Sequence, residues 1–292
     1  MTSLKKTKKE RWIYNLFVVK DAFVEYIKEG AFFHGAALAY YTLFALFPIL
    51  YLSLTTFGRI VGKDKMVSII QQLFYEKVGL SDSATILDYL KVIDLDNGNW
   101  VLSLISVFVL LYACSAFLVS LKRSLNEFLE VNDVGKQNIV LNLLRFRFLS
   151  VFYIASFALV IIIFYFFQIF AVSLIEKWIM TNNGFVDFSL YLFNHALSIF
   201  SNIIIFWVIF KYVNDANISA KLAFKGAILT ALLLYFSQLG IKFYLQNYFF
   251  LGKSGIAGSF FILLAWVNYS SQIIFFGAKY THVLQRSTQR KM

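Results

Sequence analysis

Proline, cysteine and histidine are scarce in this 292-residue chain, which contains one proline, one cysteine and three histidines. The single cysteine, Cys114, excludes an intramolecular disulfide and any zinc site built from several thiolates. None of the histidines has a second histidine or acidic residue three or four positions away, so the spacing gives no support for a metal centre. We therefore expect a chain without metal or cofactor.

Charged residues are also few, at 15%, whereas 60% of the chain is hydrophobic. A soluble domain of this length has too little interior to hide so much apolar surface. The run from 36 to 57 carries no charged side chain at all. About 20 apolar residues in a helix cross a bilayer core of roughly 30 Å. The chain is therefore expected to enter a membrane at this run.

Five further apolar runs repeat this pattern along the chain. Together they predict an all-α polytopic membrane bundle of six transmembrane helices, at about 36–58, 100–120, 148–172, 190–210, 222–245 and 256–281. Lys122 and Arg123 are expected to end the second span, and Lys211 the fourth. Because a bundle of spans folds as one unit, the sequence predicts a single integral membrane domain over 1–292.

Two segments outside the spans have amphipathic helical patterns. The basic segment 1–30 contains one over 12–27, which favours a helix lying on the membrane surface; a partner-binding helix is the alternative. The insertion 63–99 contains two more, near 66–74 and 86–93, and ends in an Asp-Asn-Gly-Asn turn. The second of these helices is expected to begin at a serine N-cap.

The distribution of basic residues predicts the orientation in the membrane. With six spans, 19 of the 27 lysines and arginines fall on the side that holds 1–30, 121–147, 211–225 and the C-terminal tail. Positive charge accumulates on the cytoplasmic side of membrane proteins. Both termini are therefore predicted to be cytoplasmic, with 63–99 outside. Since topology accounts for the net charge of +11, we expect membrane lipids rather than nucleic acid as partners.

Pro48 lies inside the first span. It cannot donate a backbone hydrogen bond, and its ring crowds the carbonyl of Phe44. Neighbouring helices, hydroxyls or water can satisfy that carbonyl in a membrane. The kink is interpreted either as a packing feature or as a hinge or cavity lining.

Acidic residues are absent from every predicted span, and none follows Asp215. Proton- and sodium-coupled carriers usually keep a carboxylate in the membrane, so this absence weighs against such a carrier. Four cations near the cytoplasmic side suit an anionic ligand or anionic lipid head groups: Lys221, Lys225, Lys279 and Arg286. Ordinary positive-inside charge is the alternative explanation for them.

Small residues recur at four-residue spacing in three spans. The pairs are Gly35 with Ala39, Gly226 with Thr230, and Gly277 with Thr281. Such pairs let helix backbones approach closely, so they predict packing sites. The glycines before the last span, Gly252, Gly255 and Gly258, lack the strand and Lys-Ser/Thr of a phosphate loop and are interpreted as a re-entry turn.

Three sequence motifs resemble those of one known family. They are 35–48 (GAALAYYTLFALFP); 112–116 (YACSA) followed by 121–126; and 255–259 (GIAGS) with 277–281 (GAKYT). In this order, and over roughly 20–285, they are similar to the YihY/BrkB family of bacterial inner-membrane proteins. The resemblance implies six transmembrane helices in the cytoplasmic membrane with both ends inside.

The chain departs from the family pattern at two positions. Tyr112 stands where tryptophan is usual, and Lys279 stands where the last motif usually has glutamate. If that acid has a function in the family, this chain lacks it or performs it differently. The positions taken as candidates for function or packing are Tyr40, Tyr41, Pro48, Asn126, Gly255, Gly258 and Lys279.

Three classes of function are compatible with these features. The first is a permease or lipid-handling transporter, with a site between helices near Pro48 and the polar residues of the last three spans. The second is a non-transporting, virulence-associated envelope factor that binds lipids or partners. The third is an enzyme, because many family members carry a ribonuclease BN label. The sequence contains no catalytic constellation for RNA hydrolysis, so we expect no enzyme activity.

Overall fold

A computed structural model describes residues 8–57, 59, 62–73, 100–131, 184–247 and 255–289. Over these ranges the chain is helical apart from short turns and contains no strand. The predicted all-α class is therefore confirmed. The physical reason is that a helix satisfies its own backbone hydrogen bonds, which hydrocarbon cannot do.

The helices are named in chain order, and we give their bounds once. They are α1 (Lys8–Lys28), α2 (Ala31–Leu52), α3 (Lys63–Leu73), α4 (Trp100–Phe128), α5 (Gly184–Val208), α6 (Ala220–Asn247) and α7 (Gly255–Gln289). Two of them continue into a π-helical turn: α2 through Ser53–Phe57 and α5 through Ile209–Val213. Gly30, with φ of 66°, separates α1 from α2 because it adopts the left-handed conformation that favours glycine.

Five helices of the described ranges are long and apolar enough to cross a membrane. They are α2, α4, α5, α6 and α7. The predicted third span, 148–172, and the predicted helix near 86–93 lie outside the described residues, so the count of six remains a prediction. Val131 follows α4 beside the loop that holds Asp215, whereas Gly184 begins α5 at the end of that helix away from this loop.

Two helices continue beyond the ends predicted for their spans. Helix α4 continues past Lys122 and Arg123 to Phe128, and α7 continues eight residues beyond 281. Lysine and arginine are good helix formers, so they do not end a helix; Lys122 pairs with Asp215, and Arg286 pairs with Glu25. A charged side chain is tolerated near a helix end when a partner compensates its charge.

The described helices pack into one bundle. Helix α2 contacts α4 and α7, α6 contacts α5 and α7, and α1 contacts α7. In the core, the ring of Phe128 from α4 stacks on that of Phe275 from α7, with centroids 5.0 Å apart and planes 5° from parallel. These rings are fully buried and join two helices that are distant in sequence.

One end of this bundle, here called the charged end, collects the ion pairs between helices. The ends of α1, α4 and α7 meet there with the beginning of α2 and the loop 214–219. The distribution of lysine and arginine predicts that 1–30, 121–147, 211–225 and the C-terminal tail lie on one side of the membrane. The described residues of these segments do lie together at the charged end. The other end is called the opposite end.

Candidate functional site

The ammonium group of Lys279 is fully buried at the charged end. Its Nζ donates hydrogen bonds to Glu29 Oε1 at 2.5 Å and to Glu130 Oε1 at 2.7 Å, and Glu25 Oε2 lies 3.5 Å away. A buried cation costs several kcal/mol unless carboxylates and hydrogen bonds compensate it. Here carboxylates from two other parts of the chain do so.

Two turns bring these carboxylates to α7. Glu29 directly precedes Gly30, at the junction between α1 and α2. Glu130 follows α4 with φ of 51°, in the left-handed region that non-glycine residues seldom adopt. The Val131 amide donates to Asn126 O at 2.9 Å, which closes this turn. A strained backbone at Glu130 is therefore held in place by the end of α4.

A second layer of charge surrounds the first. Arg286, two turns after Lys279 on α7, binds Glu25. His282 Nε2 lies 3.3 Å from Glu130 Oε2. The group is named the Lys279 cluster, and its members are Glu25, Glu29, Glu130, Lys279, His282 and Arg286. It contains three carboxylates and two permanent cations, so acceptors are in excess.

The two carboxyl groups that bind Lys279 differ in their environments. Burial raises the pKa of Glu29, although the Lys279 ammonium opposes this change. The hydrogen bond from Lys279 lowers the pKa of Glu130, whose side chain is 48% exposed. One group is therefore inclined to take up a proton, and the other resists protonation.

Asn126 organises a neighbouring contact at the charged end. Its Nδ2 donates to Asp215 Oδ2 at 2.8 Å, and its Oδ1 accepts from the Asp215 amide at 2.9 Å. Lys122, one turn earlier on α4, binds the other carboxylate oxygen of Asp215 at 2.8 Å. These bonds tie α4 to the loop between α5 and α6.

A row of polar groups extends from the charged end along α7. The Tyr26 hydroxyl donates to Gln272 Oε1 at 3.4 Å, and Gln272 Nε2 donates to Asn268 Oδ1 at 2.6 Å. Asn268 Nδ2 in turn lies 3.5 Å from the carbonyl of Phe32. Burial raises the pKa of Tyr26 to about 12, so its hydroxyl keeps its proton. The two side-chain amides of the last span, Asn268 and Gln272, therefore bind each other.

The candidate positions from the sequence do not converge on one site. Asn126 and Lys279 lie at the charged end. Pro48 is buried in the second half of α2, about 26 Å further along at 1.5 Å per residue. Gly255 and Gly258 lie at the beginning of α7, at the opposite end.

Tyr40 and Tyr41 lie on α2, and the structure does not bring them to the Lys279 cluster. Tyr40 is exposed, and its ring centroid lies 4.7 Å from that of Phe44 and 5.6 Å from that of Tyr41. Such an outward-facing aromatic group is typical of a lipid-facing helix surface.

The four cations that could suit an anionic ligand differ in their pairing. Lys279 and Arg286 are neutralised by glutamates and are not available to an anion. Lys221 and Lys225 are exposed on α6. The four residues therefore form two groups, one paired inside the bundle and one exposed, and their positions in the sequence do not indicate which residue belongs to which group.

Sequence reasoning missed the three glutamates that bind Lys279. A usable signal was present, because a lysine in an apolar helix requires acidic partners. Glu25, Glu29 and Glu130 lie in segments that the charge distribution assigned to the same side as Lys279. In the ranges with known placement, no three or more histidine, cysteine, aspartate or glutamate residues are arranged to hold a metal ion.

These features define the class of the protein: an all-helical, multi-pass integral membrane protein with a buried ion-pair cluster at one end of its bundle. The profile of the Virulence factor BrkB family matches residues 22–292. The chain belongs to this family, as its motifs indicated. No curated protein and no solved structure matches the chain.

Proposed function

We propose that this protein is a permease or lipid-handling transporter of the bacterial inner membrane, in which the Lys279 cluster closes the cytoplasmic end of the bundle. The observation that carries the proposal is the fully buried Lys279 ammonium, bound by glutamates from α1 and from the turn after α4. Ionisable groups inside membrane helices are costly, and they commonly mark transport pathways.

Ion pairs between separate helices suit a gate because they can form and break as the helices move. Alternating access requires two arrangements of the same helices around one site. The excess of carboxylates around Lys279 offers it more than one set of partners, since Glu25 Oε2 lies only 3.5 Å from its Nζ. A shift of α1 or of the turn at Glu130 would therefore change which pairs are made.

The proposed orientation has both termini in the cytoplasm and membrane lipids as partners. The asymmetry of basic residues supports it. The measurement is the accessibility of a C-terminal tag to a membrane-impermeant label. Labelling of intact spheroplasts from the periplasmic side would contradict this orientation.

We further propose that the chain is not a nuclease and binds no nucleic acid. Its converging carboxylates surround a lysine ammonium, which would repel a catalytic cation. The excess basic charge is accounted for by topology. The purified protein is accordingly expected to leave RNA uncleaved with and without added divalent metal.

The alternative is a non-transporting envelope factor. The stacking of Phe128 on Phe275 beside the cluster favours it, because these buried rings fill the bundle where α4 meets α7. A rigid, filled bundle suits a protein that binds lipids or partners through its outer surface. The two functions differ in whether any solute or lipid crosses the membrane.

The deciding experiment measures solute flux and lipid scrambling in liposomes containing the purified protein. Lys279→Met is expected to change the rate severalfold without loss of insertion, because Glu29 and Glu130 lose the ammonium group that binds them. The exchange Lys279→Glu with Glu130→Lys, which keeps one ion pair, is expected to restore part of the rate. Lys65→Met, an exposed lysine on α3, is the control.

Two results would contradict parts of this proposal. Wild-type protein that is folded and inserted, yet moves none of the solutes or lipids tested, favours the envelope factor. Equal rates in the wild type and in Lys279→Met would show that the Lys279 cluster plays no part in transport.

A further inference from the structure

The outer surface of α6 carries a row of exposed apolar side chains along most of its length. Its members recur at helical spacing and are Phe224, Leu232, Phe236, Leu239 and Phe243. Since α6 is one of the helices able to cross a membrane, this row faces lipid rather than water. The row thus marks where acyl chains run along the protein.

Two lysines continue this row at the charged end. Lys221 and Lys225 are exposed and one helical turn apart, so their side chains leave the same face of α6. Among the described residues, no carboxylate lies within 4.0 Å of either ammonium group. Lys122, Lys279 and Arg286, by contrast, all bind carboxylates.

Trp207 indicates the depth at which these lysines lie. Its indole Nε1 donates to the carbonyl of Ala220, the first residue of α6, at 3.2 Å. Tryptophan collects at the level of lipid head groups, where one edge is apolar and the other is hydrated. Lys221 is therefore at head-group level, and Lys225 lies one turn deeper, from where its long side chain can reach the interface.

We propose that Lys221 and Lys225 bind the phosphate of an anionic phospholipid whose acyl chains lie along the exposed row of α6. Two ammonium groups one turn apart match one phosphate diester, and Phe224 between them offers contact to the beginning of an acyl chain. The acidic side chains that neutralise other cations at this end leave these two for an external anion. The site requires no transport, so it goes beyond the proposed function and stands independently of it.

The test is native mass spectrometry of the full-length protein in detergent, incubated with equal amounts of phosphatidylglycerol and phosphatidylcholine. Wild-type protein is expected to retain phosphatidylglycerol in preference. Lys221→Gln with Lys225→Gln is expected to weaken this preference about tenfold, because each interfacial lysine contributes to anionic lipid binding. Lys221→Arg with Lys225→Arg, which keeps both charges, is expected to retain it.

A matched control removes two positive charges elsewhere. Arg59→Gln with Lys65→Gln changes exposed residues near the opposite end and is expected to leave the preference unchanged. Melting temperatures of all variants are compared, so that loss of lipid is not confused with loss of fold. Excess inorganic phosphate is expected not to displace the lipid, because the acyl chains contribute to binding.

Four results would overturn the proposal. They are an unchanged preference in the glutamine pair, loss of preference in the arginine pair, an equal loss in the control, and displacement of the lipid by inorganic phosphate. The last result would indicate a site for a soluble anion. None of these measurements depends on flux, so failure here leaves the transporter proposal standing.

Discussion

Thr281 of α7 packs directly against Gly226 of α6, at a point where a Cβ atom on the glycine would overlap the threonine hydroxyl. One turn along α6 the relation is reversed, since Thr230 packs against Gly277 of α7. Within α6 the Thr230 hydroxyl donates to the Gly226 carbonyl at 2.8 Å, and within α7 the Thr281 hydroxyl donates to the Gly277 carbonyl at 2.7 Å. The two helices therefore cross at a reciprocal pair of glycines.

The close approach of α6 and α7 predicts that a single methyl group added at Gly277 destabilises the fold. Gly277→Ala would place a Cβ on Thr230 and within 3.1 Å of the Phe210 ring, so helices α6 and α7 must separate. We expect a loss of about 1–3 kcal/mol in the free energy of unfolding. Thermal unfolding in detergent measures it as a lower melting temperature.

Gly240→Ala is the matched control for this substitution. Gly240 also lies in α6, but a Cβ there would have no atom within 4 Å. Alanine favours a helix over glycine by about 1 kcal/mol, so the melting temperature should stay constant or rise. Equal losses in both variants would show that glycine itself, and not the crossing, is needed.

The opposite pKa changes of Glu29 and Glu130 predict opposite effects on stability as pH changes. The raised pKa of Glu29 means that the folded chain holds this proton more tightly, so its contribution falls as pH rises from 4.5 through the raised value. The lowered pKa of Glu130 means that its contribution is complete above 4.5 and is lost as pH falls through the lowered value.

These signs are tested by melting temperatures of Glu29→Gln and Glu130→Gln across the acidic range. The advantage of wild type over Glu29→Gln should shrink as pH rises above 4.5. The advantage of wild type over Glu130→Gln should shrink as pH falls below it. Parallel curves for wild type and either variant would mean that this carboxyl group has the same pKa in the folded and unfolded chain.

Much of the fold was predictable from the sequence because hydrocarbon imposes a simple requirement. The charge-free run 36–57 had to be a helix in lipid, and α2 with its π-helical turn covers it. The close-packing pairs on α6 and α7 were also predictable, because only small residues permit such an approach. These features depend on residues that are neighbours along one helix.

The site was less predictable because its contacts join residues that are distant in sequence. Lys279 binds Glu29 and Glu130 across 250 and 149 positions. Lys122 was expected only to mark the end of a span, and its partner Asp215 is also far along the chain. Both contacts depend on tertiary pairing, which the pattern of neighbouring residues does not indicate.

Pro48 is expected to affect activity more than insertion. It is buried in α2, five residues before the π-helical turn that begins at Ser53. Pro48→Ala would restore a backbone donor toward the Phe44 carbonyl and would remove the ring that crowds it, so that the helix gains a hydrogen bond at this point. Pro48→Ala should therefore change the flux measured in liposomes but leave the yield of protein in the membrane fraction unchanged.

Ile49→Ala is the control for this prediction, because it alters an exposed neighbour on α2 without changing the backbone. It should leave both flux and yield near wild type. A Pro48→Ala protein with poor membrane yield but normal flux per inserted molecule would argue that the proline serves insertion and packing instead of motion.

Asn126→Ala should loosen the loop 214–219 while leaving the bundle folded. The substitution removes both hydrogen bonds to Asp215, of which one fixes the backbone amide and the other the carboxylate. Exposed bonds of this kind are worth about 1 kcal/mol each, so the loss of both should make the loop open roughly 30-fold more often. Hydrogen exchange of the amides of 214–219 should quicken accordingly.

Asn217→Ala is the control, because the contact of Asn217 with Gln285 is made by its backbone carbonyl and survives the change. If exchange in this loop were equally slow in Asn126→Ala and wild type, the ion pair of Lys122 with Asp215 would be sufficient to hold it.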